Sequence, residues 1–323
     1  MYLATGNTIY SQSICSNTIS EYLQAAADLI TTLDPVEDRD PRKTDKGLWY
    51  VGIQKVINEV KRVETIPNRR EGYTLAMHRR LFEKVRFLHK NSPLYALYDW
   101  CTVGLQGGFR RSEYCQSGSA GLLTMTIDLC AFGPKAFILA DIIFFTASKV
   151  QLNRNFAVEN PDDVWYVKVI FCWQKNGYHG IHRWMSRNDK RIYLCAVRAW
   201  IRIVARFLAL MGESKSDCPL AVYYHRKTHS PRYVTSTMVT AEMRSLAVEV
   251  HHLTNKEDID RFSSHSLRVG AACIYFAAGH DESFIQRVLR WESAAWKKYI
   301  RDLICTAVKA VAAMNTVDEF PLM

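Results

Sequence analysis

Apolar positions recur at three- and four-residue spacing along most of the chain and give way to alternation in one middle stretch. A first helix is predicted from a cap near Thr18 through Ile30, and a second over residues 48–63 with Val51, Val56, Ile57 and Val60 on one side. Between them, residues 33–46 are charged and broken by prolines, which reads as a loop. From Thr74 the helical period returns with Leu75, Met77, Leu81, Phe82, Val85 and Leu88 set among the polar His78, Arg79, Arg80, Lys84 and Arg86. Ser92-Pro93 has the form of a cap and first-turn pair opening a buried helix to Leu105.

After Gly121 the period changes to that of strands. Residues 122–128, 138–145 and 165–173 are β-rich, the last alternating strictly, and Lys175-Asn176-Gly177 makes a hairpin turn before a return over 178–185. Residues 191–211 restore a strong helix, with Arg198, Arg202 and Arg206 spaced by four on its polar face. Residues 212–235 read as loop, 237–253 as an amphipathic helix, 255–262 as loop, and 303–314 as a last apolar helix. The fold class predicted is α+β and mainly α, with a small antiparallel β-sheet. Residues 1–66 form a short helical N-terminal segment and residues 67–323 the main domain.

Composition narrows the chemistry. The 323 residues carry 42 Lys+Arg against 32 Asp+Glu, and the resulting +10 suits a polyanionic partner such as double-stranded DNA. Nine cysteines are scattered without a C-x-x-C pair. An odd count and the apolar surroundings of Cys101, Cys130, Cys172 and Cys273 suit a reducing, intracellular compartment. His179 and His182 lack a second pair to complete a metal site, so no metal is expected. No apolar run of about 20 residues is present, so no membrane span is expected.

The informative stretch is residues 263–303. His265 and Arg268 lie three apart, one above the other on a helix face, and can present a proton-transfer group and a guanidinium fork to one phosphate. The spacing alone means little, since His229 and Arg232 repeat it in a proline-containing stretch. The order means more. His-x-x-Arg leads into a Gly270-Ala-Ala helix, a Gly279 break, an amphipathic segment, Leu289-Arg-Trp291 and finally Tyr299-Ile-Arg301. Upstream, Gly107-Gly108-Phe109-Arg110-Arg111-Ser112-Glu113 sets an Arg-x-x-Glu behind small residues that permit close backbone approach.

These two boxes resemble the catalytic boxes of tyrosine recombinases, the phage-integrase family, and the wording of the second is most similar to the crypton-like branch of eukaryotic mobile elements. The resemblance covers roughly residues 70–315. It implies an integrase-like catalytic domain, with residues 1–66 in the place of a DNA-clamping core-binding domain that is short here. It also implies a catalytic set of Arg110, Lys175, His265, Arg268, Trp291 and Tyr299. In that set Tyr299 is the nucleophile, the two arginines clamp the phosphate, and Lys175, ahead of Lys168 and Lys190, protonates the leaving oxygen. Trp291 lends its indole N–H while its ring packs the tyrosine helix.

Arg111 and the stripe Arg198, Arg202 and Arg206 are candidates for the DNA backbone. No cofactor is implied, in keeping with a sequence that has no Walker loop and no dinucleotide fingerprint. The family further implies a 3′-phosphotyrosine intermediate, a homo-tetramer on DNA joined through the C-terminal helix, and action in the nucleus. Two other readings share these residues: a domesticated DNA-binding protein with a vestigial recombinase fold, and a type IB topoisomerase-like enzyme that relaxes strands.

Overall fold

The computed structural model describes residues 16–33, 42–43, 48–63, 69–115, 136–173, 179–291 and 296–300. The chain divides into two compact units, residues 1–68 and 69–323.

In the first unit, α1 (Ser16–Leu33) packs with α2 (Val51–Val63). Ile19, Ala27 and Ile57 are buried, whereas Val51 and Val56, predicted to share the apolar side of α2, are exposed. Arg42 falls in the stretch read as a charged loop, yet it is buried. It donates to Gln24 and lies 4.9 Å over the Trp49 ring, because a planar guanidinium can stack on an aromatic face and still keep a hydrogen bond.

The second unit is mainly helical with a small antiparallel sheet. Helices α3 (Leu75–Val85) and α4 (Pro93–Gly107) start where expected. The Thr74 and Ser92 hydroxyls accept from Met77 and Tyr95 N–H, which satisfies donors that no earlier turn can reach. The sheet has the order β2-β1-β3-β4, with β1 at Ile142–Phe145, β2 at Gln151–Leu152, β3 at Tyr166–Phe171 and β4 at Ile181–Ser186. Alternation along β3 sends Val167, Val169 and Phe171 inward. The aromatic centre of the core joins Phe109, Phe137 and Phe171 to Trp100 of α4 and Trp200 of α7 (Ala196–Met211).

Two short helices are α5 (Arg111–Tyr114) and α6 (Arg154–Glu159), and two stretches read as loops are structured. Within 212–235 lies a hairpin, β5 (Val222–His225) with β6 (Ser230–Tyr233), so His229 and Arg232 sit at its turn and second strand. Within 255–262 lies α9 (Lys256–Asp260), which follows α8 (Ser236–His251). Cys101 is buried as expected, whereas Cys172 is exposed and donates to Asp141. Residues 122–128, Cys130, Lys175 with its turn, and 303–314 lie outside the described residues.

His78, one of the polar residues set among the apolar positions of α3, is fully buried. Its ring lies between Tyr73 Oη at 3.3 Å, the Tyr193 carbonyl at 3.1 Å and Thr102 Oγ1 at 3.3 Å. Burial lowers its pKa from 6.5 to about 4. The unfolded chain therefore binds a proton that the native state refuses between those values. Stability is full above pH 6.5 and falls as pH drops towards 4, by about 3 kcal/mol from this group. Denaturant unfolding at pH 7 and pH 4.5 is expected to show this loss in the wild type and much less of it in His78→Gln.

The C-terminal part is α10 (Ser266–Ala277), α11 (Glu282–Leu289) and α12 (Lys297–Ile300). Helix α10 lies directly on the backbone of residues 71–73, where Tyr73 N–H donates to the Ser266 carbonyl at 2.9 Å. A Cβ on Gly270 would stand 2.1 Å from the Tyr73 carbonyl oxygen. Gly270→Ala must push backbone apart, and a fall of about 1–3 kcal/mol in unfolding free energy is expected from a denaturant midpoint.

Candidate active site

Five of the six expected catalytic residues are described, and they come together from four separate pieces of chain: Arg110 before α5, His265 and Arg268 at the start of α10, Trp291 after α11, and Tyr299 in α12. His265 precedes the first turn of α10, so its ring and the Arg268 side chain project from the same end of the helix. Its Nε2 stands 3.3 Å from Tyr299 Oη, with ring centroids 6.1 Å apart. The Trp291 ring lies 6.0 Å from that of Tyr299 and takes the Arg268 guanidinium 4.3 Å over its face. The Trp291 indole N–H is buried and has no hydrogen-bond partner among the described residues.

Arg268 is 3% exposed, and its fork is held by main chain. One arm donates to the Gly108 carbonyl and the other to the Arg290 carbonyl at 3.3 Å. Gly108 is the left-handed cap of α4 at φ +56, and a Cβ there would meet Leu289 Cδ2 at 2.6 Å. The glycine before Arg110 is thus required by close approach and by backbone conformation together.

The residue that organises the cluster is one to which the sequence reading gave no role. Arg290 caps α11 in the left-handed conformation (φ 57, ψ 48), which costs a non-glycine residue about 1–2 kcal/mol. Its side chain is buried, makes a two-pronged ion pair with Glu113 at 2.8 and 3.0 Å, and lies 3.5 Å over the Phe171 ring. Its carbonyl accepts from Arg268 and, at 3.5 Å, from Arg110. Glu113 in turn accepts the Arg110 backbone N–H at 2.8 Å and pairs with its guanidinium at 3.5 Å. Tyr114 ties the first box to the second by donating to the Ser264 carbonyl at 2.8 Å.

Arg110 and Arg290 thus pair with the Glu113 carboxylate, and Arg268, bonded to main-chain carbonyls, stands close enough to both guanidinium groups to feel their charge. Burial, then the Arg290 and Arg110 charges, press the Arg268 pKa down to about 9. Burial and the Arg290 and Arg287 charges lower that of Arg183 on β4 as well. Such a cluster is stabilised by an added oxyanion. A signal for Arg290 did exist in the sequence: an arginine at a helix end, where glycine or asparagine usually caps, immediately before Trp291.

The proposed DNA-backbone residues divide. Arg111 is exposed and lines a cleft of about 620 Å³ beside His265, together with Arg70, Arg244, Thr237 and Ser264. Two of the three arginines of the α7 stripe are corrected. Arg202 and Arg206 point inward to the fully buried Asp99, Arg202 at 2.7 Å, while Arg206 also donates to the Lys90 carbonyl and is 2% exposed. Arg198 pairs with Asp162 at 3.0 Å. Spacing by four marks one helix face. It did not reveal that a carboxylate from α4 stands against that face.

No protein-family model matches the sequence, and no curated protein matches it. Among solved structures the chain is similar to the Tn1549 transposon integrase in complex with transposon right end DNA. That match has 12% identity and a TM-score of 0.47, and covers 94% of this chain and 81% of the other. It is also similar to XerA recombinase, with 14% identity, a TM-score of 0.41, and 95% and 85% covered. A third likeness is to the same Tn1549 integrase in complex with circular intermediate DNA, with 13% identity, a TM-score of 0.41, and 93% and 79% covered. No helix among the described residues is long and apolar enough to cross a membrane, and no group among them could hold a metal ion.

Proposed function

We propose that this chain is a DNA strand-transferring tyrosine recombinase. The observation that carries the reading is a phenol oxygen 3.3 Å from an imidazole nitrogen, beside two guanidinium groups that share one backbone carbonyl. In the reaction Tyr299 Oη attacks a DNA phosphorus and passes its proton to His265 Nε2. The Oη–P bond forms and the P–O5′ bond breaks, leaving a 3′-phosphotyrosine. The departing O5′ takes a proton and leaves as a 5′-hydroxyl, with Lys175 as the proposed donor. Arg110, Arg268 and the Trp291 N–H hold the non-bridging oxygens as charge accumulates. Attack of a 5′-hydroxyl from another duplex on the phosphotyrosine reverses these steps and completes the exchange.

Flanking phosphates would run along the cleft that holds Arg70, Arg111 and Arg244, of which Arg244 also pairs with Asp260 at 2.9 Å. The same reading places the protein in the nucleus, as the integrase of a crypton-like mobile element acting as a homo-tetramer joined by its C-terminal segment. Residues 1–66 would serve in a DNA clamp.

Supercoiled plasmid incubated with the protein in EDTA without ATP, then quenched with detergent, tests the proposal. Wild type is expected to give a protein–DNA adduct or relaxed circles, and Arg268→Ala about 10²-fold less while still binding DNA. DNA binding without either product, across a panel of candidate element ends, would favour a domesticated DNA-binding protein. Relaxation by a monomer that never joins two duplexes would favour the topoisomerase-like enzyme.

A further inference from the structure

Arg290 has an unusual combination of properties. It is a non-glycine residue at φ 57, its side chain is buried against Glu113 and Phe171, and its carbonyl accepts from both Arg110 and Arg268. A strained backbone of this kind persists only where its surroundings over-determine it, and here the two-pronged ion pair with Glu113 does so. The same carboxylate fixes the Arg110 backbone, so one ion pair sets the position of the main chain that orients both phosphate-holding arginines.

We propose that Arg290 is a positioning residue. Through Glu113 and its own left-handed carbonyl it holds the Arg110 and Arg268 forks at the separation that grips a tetrahedral oxyanion. The assignment of the gripped group as a DNA phosphate rests on the recombinase reading. The oxyanion grip itself does not. Lysine at this position would keep the charge and lose the fork geometry. Glycine would adopt the backbone conformation without strain and lose the side chain altogether.

The direct test is the affinity of the full chain for inorganic phosphate, measured by calorimetry at low salt on wild type, Arg290→Gly and Arg290→Lys. Arg268→Ala serves as the control that removes the grip. Arg290→Gly is expected to bind phosphate about tenfold more weakly and Arg290→Lys to fall between, at an unchanged circular dichroism spectrum. If the unpaired Glu113 prevents Arg290→Gly from folding, the double variant Arg290→Gly/Glu113→Gln removes the stranded charge and is expected to show the same weakening. Phosphate affinity equal to wild type in these variants, or no phosphate binding by wild type, would overturn the proposal.

Adduct formation on plasmid reports separately. Wild-type adduct with undiminished phosphate affinity in Arg290→Gly sinks the positioning role alone. Absence of adduct from wild type, with weakened phosphate affinity in Arg290→Gly, sinks the recombinase reading and leaves the positioning role standing.

Discussion

Tyr299→Phe is expected to abolish covalent capture of DNA, lowering adduct formation at least about 10³-fold, with DNA affinity and melting temperature close to wild type. The change deletes one oxygen from a half-buried ring. The ring contacts to His265 and Trp291 survive it, so α12 keeps its place. What is lost is the phenol oxygen that the proposed mechanism bonds to phosphorus and later releases to a second strand. Gel detection of detergent-resistant protein–DNA complexes measures the effect, and filter binding in parallel separates it from loss of DNA affinity. An adduct of undiminished yield from Tyr299→Phe would assign the nucleophile elsewhere.

Glu113→Ala should produce the largest loss of stability of any single change near the site. The carboxylate is 3% exposed and faces the Arg290 guanidinium, itself 2% exposed, so solvent hardly screens the pair. Removing one partner of a buried ion pair leaves the other charge stranded and costs about 3–5 kcal/mol. For a unit of this size that corresponds to a melting temperature lower by roughly 6–20 °C. The Arg110 backbone N–H loses its acceptor as well, so cleavage should fall even where the protein remains folded. Calorimetry of Glu113→Ala beside the double variant Glu113→Leu/Arg290→Met separates the causes. Stability should return in part in the pair, because the Arg290 charge is removed together with its partner, while activity should not. A Glu113→Ala protein as stable as wild type would mean that the ion pair contributes little.

The sequence made the helices legible wherever an apolar stripe met a capping residue, as at Thr74 and Ser92, and the β3 strand legible by its alternation. It also made the two boxes legible, since each is a short run whose residue types are constrained by chemistry. Partnership across long separations was not legible. Arg290 and Glu113 are 177 residues apart, and neither carries a mark that it belongs to the other. Arg202 and Asp99 are 103 apart, so two arginines that serve to neutralise a buried carboxylate looked like part of a nucleic-acid face. The β5–β6 hairpin escaped for a local reason, because His225 to Ser230 are polar and Pro231 lies inside β6, both of which weaken a strand pattern.

The measurement closest to the central claim is the chemical identity of the linkage. Wild-type protein trapped on DNA, digested with nuclease and trypsin, and analysed by mass spectrometry should yield the peptide containing Tyr299 with a nucleotide joined through its 3′-phosphate. A nucleotide on any other residue, or one joined through a 5′-phosphate, would contradict the account.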